Sequence, residues 1–297
     1  MKFQQRLFNG AADFDVMQFL ARAWPDSHLH VTDLPWRLTS WALDDPQNVA
    51  LWVDESGKLV AWAVLQTPFW TLDLVVHPAQ EADLIPLILA WVEERAKTVS
   101  GTEYGHPAWF IVVFDDQRDR IRMFESAGWA SQADVGEDAW SKVWMKHAGP
   151  IPTASLPDGF SIHPLGDRLE AYVDLQRAVF ESKNMTIPWR RQTTEHPAYD
   201  PACDLVVCAP DGRLAAFCVG WLDGERGQIE PLGVHADFRG LGLGKAVLAE
   251  CLRRLQAHGA REIHVETDNY RNAALDLYEW AGFQAEKKVL VFRKDYP

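Results

Sequence analysis

Between Val234 and Lys245 the chain reads Val-His-Ala-Asp-Phe-Arg-Gly-Leu-Gly-Leu-Gly-Lys, with glycines at 240, 242 and 244 and cations at 239 and 245. Glycine lacks a Cβ and tolerates positive φ, so such a stretch can turn several backbone N–H groups toward one point. An amphipathic run follows, with Val247, Leu248, Cys251, Leu252 and Leu255 on one stripe and Gly259 as its stop. This predicts a helix over 246–258 whose N-terminus adds unpaired N–H donors and the positive end of its dipole. The chemistry is recognition of phosphate oxygens. Two common phosphate loops do not fit. A Walker A loop needs Gly-Lys-Ser/Thr, and Ala246 follows Lys245. A dinucleotide fingerprint needs a third glycine where Lys245 stands.

The flanking elements must hold this loop in place. Upstream, Gln228–Val234 alternates apolar Ile229, Leu232 and Val234 around Gly233 and reads as a strand, with the glycine marking a bulge or close backbone approach. Downstream, Glu262–Thr267 reads as a second strand. Asn272–Phe283 then reads as a short helix that Asn272 can N-cap and Gly282 ends.

The order strand, Arg239-x-x-Gly242-x-Gly244, helix, strand, Asn272-x-Ala274-x-x-x-Tyr278-x-x-x-Gly282-Phe283 resembles the GCN5-related N-acetyltransferases. The resemblance implies acetyl-CoA as co-substrate. It implies that Leu232, Gly233 and Val234 meet the pantetheine arm through main chain. Arg239, Gly240, Leu241, Gly242, Leu243, Gly244 and Lys245 would hold the pyrophosphate, and Asn269 and Asn272 would face the arm from the second strand's end. It also implies direct attack of a primary amine in a ternary complex. Tyr278 stands at the family's general-acid position, and Glu230 and Glu266 are both candidate bases, with His235 a third. A sugar-linked cysteine amine is the acceptor of mycothiol synthase, a tandem relative that shares the Val265-Glu-Thr-Asp-Asn269 and Tyr-Gly-Phe features. A non-catalytic acyl-CoA sensor is the alternative outside catalysis.

A repeat sets the organisation. Asp54–Val64 matches Ala209–Val219, Thr71–Pro78 matches Ile229–Ala236, and Met123–Trp129 matches Leu277–Phe283, all at nearly the same offset. In the first copy the glycines and arginine are missing after His77, Glu81 and Asp83 stand near the would-be diphosphate, and Phe124 replaces the tyrosine. The expectation is an α/β (α+β) protein of two tandem domains, each a twisted mixed sheet flanked by helices. Residues 1–148 form a degenerate copy, 149–160 a Pro/Gly-rich linker, and 161–297 the acetyl-CoA-binding domain. Eleven of the 14 tryptophans precede residue 150 and are read as packing.

A net charge of −13 argues against nucleic acid or an anionic membrane as partner. No apolar run approaches the roughly 18–20 residues of a membrane span, and residues 1–6 do not open a signal peptide. The four cysteines show no C-x-x-C spacing, so no metal is expected and the thiols are read as reduced. A cytoplasmic enzyme acting on a small-molecule or peptide amine, as monomer or homodimer, is expected. The acceptor is left to residues 165–202, above all Asn184–Arg191.

Overall fold

The computed structural model describes residues 2–133, 135–136 and 139–296. They form two compact units, Met1–Lys142 with Lys288–Pro297, and Val143–Lys287. No helix among the described residues is long and apolar enough to cross a membrane.

The first unit contains β1 (Phe3–Leu7), α1 (Phe14–Ala23), α2 (Leu34–Leu38), β2 (Val49–Asp54), β3 (Leu59–Gln66), β4 (Thr71–Val76), α3 (Glu81–Ser100), β5 (Ala108–Phe114), α4 (Arg118–Ser126) and β6 (Ala130–Ser131). The strands run in the order β1-β2-β3-β4-β5, antiparallel up to β4 and parallel at β4–β5. One face is covered by α3, whose Leu84, Ile85, Ile88, Leu89, Val92 and Ala96 recur at helical spacing and are buried. The other face meets α1 through Met17, Leu20 and Ala21. Trp36, Trp52, Trp62, Trp109 and Trp129 are each at most 2% exposed, so the tryptophans that fill this half serve its interior.

The second unit holds β7 (Ser141–His147) from Val143 on, β8 (Ser161–Pro164), α5 (Leu169–Phe180), α6 (Ile187–Glu195), β9 (Asp204–Cys208), β10 (Leu214–Asp223), β11 (Arg226–Val234), α7 (Leu243–Ala257), β12 (Glu262–Asp268), α8 (Asn272–Trp280) and the start of β13 (Phe283–Asp295). Its strand order is β7-β12-β11-β10-β9-β8. The stripe expected on α7 is its buried face, with Val247, Leu248, Cys251, Leu252 and Leu255 fully covered. In each unit, mixed parallel and antiparallel strands flanked by helices are the architecture that the repeat implies.

The boundaries differ from those expected at 148, 149–160 and 161–297. Residues 149–160 do not hang between domains. Ile151, Leu156 and Phe160 pack on the second unit's core, and the Phe160 ring lies 5.9 Å from the Phe238 ring. The last ten residues belong to the first unit because β13 pairs antiparallel with β5 from Val289↔Phe114 to Asp295↔Ala108. Phe292, fully buried, lies 5.9 Å from the Phe124 ring.

Phe292→Ala should therefore destabilise the first unit by about 3–5 kcal/mol, the cost of emptying a core aromatic site. Hydrogen exchange should show protection lost in β5 and kept in β10 and β11.

Candidate functional site

The site forms where two parallel strands part. β11 pairs with β12 from Arg226↔Glu262 to Ile229↔Val265, the last pair of that ladder. On its other side β11 stays paired with β10 as far as Ala216↔Val234. Residues 230–234 thus keep one neighbour and turn their other edge to an opening cleft. The divergence coincides with a bulge. Cys218 pairs with Leu232 while Gly220 pairs with Ile229, so β11 carries one extra residue at Glu230–Pro231. Pro231 has no N–H to offer a neighbouring strand. The Trp221 indole donates to the Glu230 carbonyl at 2.6 Å.

Gly233 is not the bulge that its position in a strand suggested. A Cβ there would lie 2.5 Å from Val179 Cγ1 and 2.7 Å from Phe217 Cζ, so the glycine lets α5 and β10 close on the strand. Leu232 and Val234 are half-buried on either side of it.

β11 runs through a short 3-10 turn at Ala236–Phe238 into the glycine loop. Gly240 and Gly242 both have φ +79°, where a side chain is strained, and Gly242 is the N-cap of α7. The helix therefore starts at Leu243, three residues earlier than its apolar stripe indicates, and Leu243, Gly244 and Lys245 make its first turn. Their N–H groups lie among those that a helix leaves unpaired, at the positive end of a 15-residue dipole. Gly244 packs 3.4 Å from Val234 Cγ2 and 3.5 Å from Leu277, measured from where its Cβ would be. Arg239, Gly240, Leu241, Gly242 and Lys245 are exposed. The Arg239 Nε–H points at the Val234 carbonyl at 3.4 Å, and Lys245 Nζ stands 4.8 Å from the Trp280 ring centre. The structure thus brings Leu232–Val234 and Arg239–Lys245 together at one end of the cleft.

Asn269 and Asn272, both exposed, follow β12 on the opposite wall. Asn272 is the first residue of α8 and not its cap; Arg271 takes the N-cap position and makes no side-chain cap bond.

Three expected catalytic groups meet the fork. Glu230 occupies the bulge and Glu266 directly follows the last β12 pair; both are half-buried. Val265 is buried in the α7-side core, so strand alternation turns Glu266 to the other face. Tyr278 is 7% exposed, with its ring 5.7 Å from Phe283 in edge contact. Burial, and after it the Glu230 charge, push its phenol well above the ordinary 10, so the hydroxyl keeps its proton at neutral pH. His235 instead caps the 3-10 turn, accepting from the Asp237 N–H at 3.2 Å.

Tyr172 was not evident from the sequence. It lies on α5, fully buried, with the Arg190 guanidinium 4.0 Å above its ring and Phe217 at 5.1 Å. Its hydroxyl has no hydrogen-bond partner, and Glu230 is among the charges it senses. Two buried phenols on different helices thus both feel the Glu230 charge. On sequence alone Tyr172 is one more member of an apolar helical stripe. The segment expected to select the acceptor supplies α5 and α6. There Arg190 is fully buried in an ion pair with Asp204, and Tyr199 donates to the same carboxylate at 2.6 Å.

Residues 169–283 match the Acetyltransferase (GNAT) family. A mycothiol acetyltransferase from Kineococcus radiotolerans is 30% identical over 222 residues, covering 71% of this chain and 68% of that protein. This chain belongs to the GNAT acetyltransferases. A GCN5-related N-acetyltransferase from Sphaerobacter thermophilus shares the fold with a TM-score of 0.65 at 20% identity, over 99% of this chain and 96% of that one. A tandem GNAT protein from the clavulanic acid biosynthesis pathway gives 0.65 at 15% identity over 99% of each. The protein is an N-acetyltransferase.

In this acetyltransferase the first unit repeats the fork but fills it. β4 and β5 pair only at Thr71↔Phe110, and β3–β4 runs from Ala61↔Val76 to Gln66↔Thr71 without a bulge. The segment Ser27–His30 lines the gap together with Leu72–Val75, Val112, Val113 and Arg120, leaving a cavity of about 40 Å³, room for about one water. The Ser27 carbonyl accepts from Gln117 Nε2 at 2.9 Å and Arg120 Nη1 at 2.7 Å. Helix α3 opens with Glu81 and Asp83, already paired with Arg120 and Lys2.

His28 is sealed into this plug. Burial, and next the Arg120 charge, hold its imidazole well below the ordinary 6.5. The unfolded chain then binds a proton where the folded unit does not. Stability is complete above pH 6.5 and falls below it, by up to about 1.4 kcal/mol per pH unit until the folded value is reached. Urea unfolding followed by tryptophan fluorescence should show this acid sensitivity, and His28→Gln should flatten it.

Proposed function

We propose that the second unit moves an acetyl group from acetyl-CoA to a primary amine by direct attack in a ternary complex. The observation that supports this reading best is the fork beyond Ile229↔Val265 opening onto the glycine loop at the head of α7. The free edge at Leu232, Gly233 and Val234 suits an extended amide-bearing arm, which can pair with it as an added strand. The loop from Arg239 to Lys245 suits a diphosphate, with backbone N–H groups supplemented by the two cations. Asn269 and Asn272 bound the arm from the other wall.

Acetyl-CoA would supply an activated thioester at the fork. An alkylammonium with a pKa near 10.4 must lose a proton before its nitrogen can attack. Glu230 or Glu266 can accept that proton, directly or through one water. Tyr278 acts on the leaving side. Its phenol lies above 10 and a thiol near 8.5, so full proton transfer is uphill by roughly 2 kcal/mol or more. Tyr278 therefore works by a hydrogen bond that strengthens as charge develops on sulfur. Ser27–His30 and the two acidic residues at the start of α3 favour one acyl-CoA per chain. The acceptor is a small molecule or peptide, and the match to a mycothiol acetyltransferase across 71% of the chain makes that protein's acceptor the first to try.

Calorimetry should give one acetyl-CoA site per chain, lost in Gly242→Asp, where both the left-handed backbone and the added charge oppose binding. Retained affinity would contradict the loop assignment. Tyr278→Phe should keep coenzyme affinity and lower turnover about 10–100-fold. Of Glu230→Gln and Glu266→Gln, the one that removes the acidic limb of the kcat/KM profile identifies the base.

A further inference from the structure

We infer that Asp200, Cys203 and His258 form a zinc(II) site that ties the C-terminal end of α7 to the turn before β9. Asp200 and Cys203 flank the 3-10 turn Pro201–Cys203, and His258 is the C-cap of α7, 55 residues further on. One carboxylate oxygen, one thiol sulfur and one imidazole nitrogen lie within 4.8 Å of one another. Cys203 Sγ is 3.7 Å from Asp200 Oδ2, and His258 Nδ1 hydrogen-bonds the same oxygen. Zinc bonds of about 2.3 Å to sulfur and about 2.1 Å to oxygen at a tetrahedral angle separate those two ligands by roughly 3.6 Å. The Asp200–Cys203 spacing is the spacing an ion needs, and the His258 imidazole, now hydrogen-bonded to Asp200, must move back by about 1 Å to take its place as a ligand.

The surroundings hold the ligands in that arrangement. Asp200 Oδ1 accepts the Ala202 N–H at 2.9 Å, which fixes the carboxylate and leaves Oδ2 to face the other two groups. The Cys203 N–H bonds the Asp200 carbonyl at 3.0 Å, and the Cys203 residue is fully buried. The site lies at the negative end of the α7 dipole, which favours a cation. Arg254, one turn earlier, has its charge paired with Glu250 at 2.8 Å while it donates to the Ala202 carbonyl at 2.7 Å. A sulfur, nitrogen and oxygen set suits zinc and is too soft for magnesium or calcium. Asp200 and His258 side chains are 30% and 39% exposed, which leaves room for water as a fourth ligand. On binding, the Cys203 S–H bond releases its proton to solvent and a Zn–S bond forms; nothing is oxidised.

At 1.5 Å per residue, the 15-residue helix puts this clamp about 22 Å from the glycine loop. Its role is to anchor the helix that carries the loop, independent of the acetyl-transfer assignment. The ligands escape a search for C-x-x-C because they combine Asp-x-x-Cys with a histidine brought in by the fold.

The test uses the full chain, stripped with chelator and titrated with Zn2+ or Co2+ alone. One equivalent should bind, with the intense visible bands and thiolate charge transfer of a tetrahedral cobalt–sulfur site. Zinc should raise the melting temperature. Asp200→Asn, which keeps the acceptor for Ala202 N–H, should weaken binding at least about tenfold, and Cys203→Ser should abolish the charge-transfer band. If the wild type takes up no zinc, or if both variants bind it as the wild type does, the proposal fails.

Discussion

The site depends on a parallel ladder that stops. After Ile229↔Val265 the two central strands of the second unit no longer bond to each other, and β11 alone continues against β10. Backbone polar groups seldom go unpaired inside a protein. A half-paired strand beside an open cleft leaves backbone groups there for water or a ligand to meet. The bulge at Glu230–Pro231 accompanies this divergence and sets a carboxylate at the point of the fork.

The rest of the unit positions that opening. The buried stripe of α7 presses on the strands, so the helix head and its glycines are delivered to the cleft's end. Gly233 lets α5 approach, with Tyr172 of that helix packed on Phe217, while α8 carries Tyr278. Both phenols are held in their protonated form by burial, which suits hydrogen-bond donation and not proton release.

The two units share one plan and differ in what fills it. The first unit preserves the fork, yet its own Ser27–His30 segment occupies it, pinned by Gln117 and Arg120. Internal partners thus satisfy groups that a ligand would otherwise meet. Trp36, Trp52, Trp62, Trp109 and Trp129 belong to that unit's interior, while Trp70 is exposed.

The glycine loop, the stripe of α7, the two flanking strands, Tyr278 and the repeat were legible in the sequence, because each is a local pattern of spacing or conformational freedom. Asn272 does not take the cap position its type suggested, Gly233 proves to be the close approach and not the bulge, and residues from 149–160 pack on the second unit's core, since each outcome depends on neighbours that spacing does not reveal. Tertiary structure alone decided that β13 pairs with β5 and that Ser27 fills a distant gap. It also decided that Tyr172 lies under Arg190 and against Phe217, and His258 by Cys203. These pairings join residues tens to hundreds of positions apart, and they are set by how buried faces pack, which no short stretch of sequence encodes.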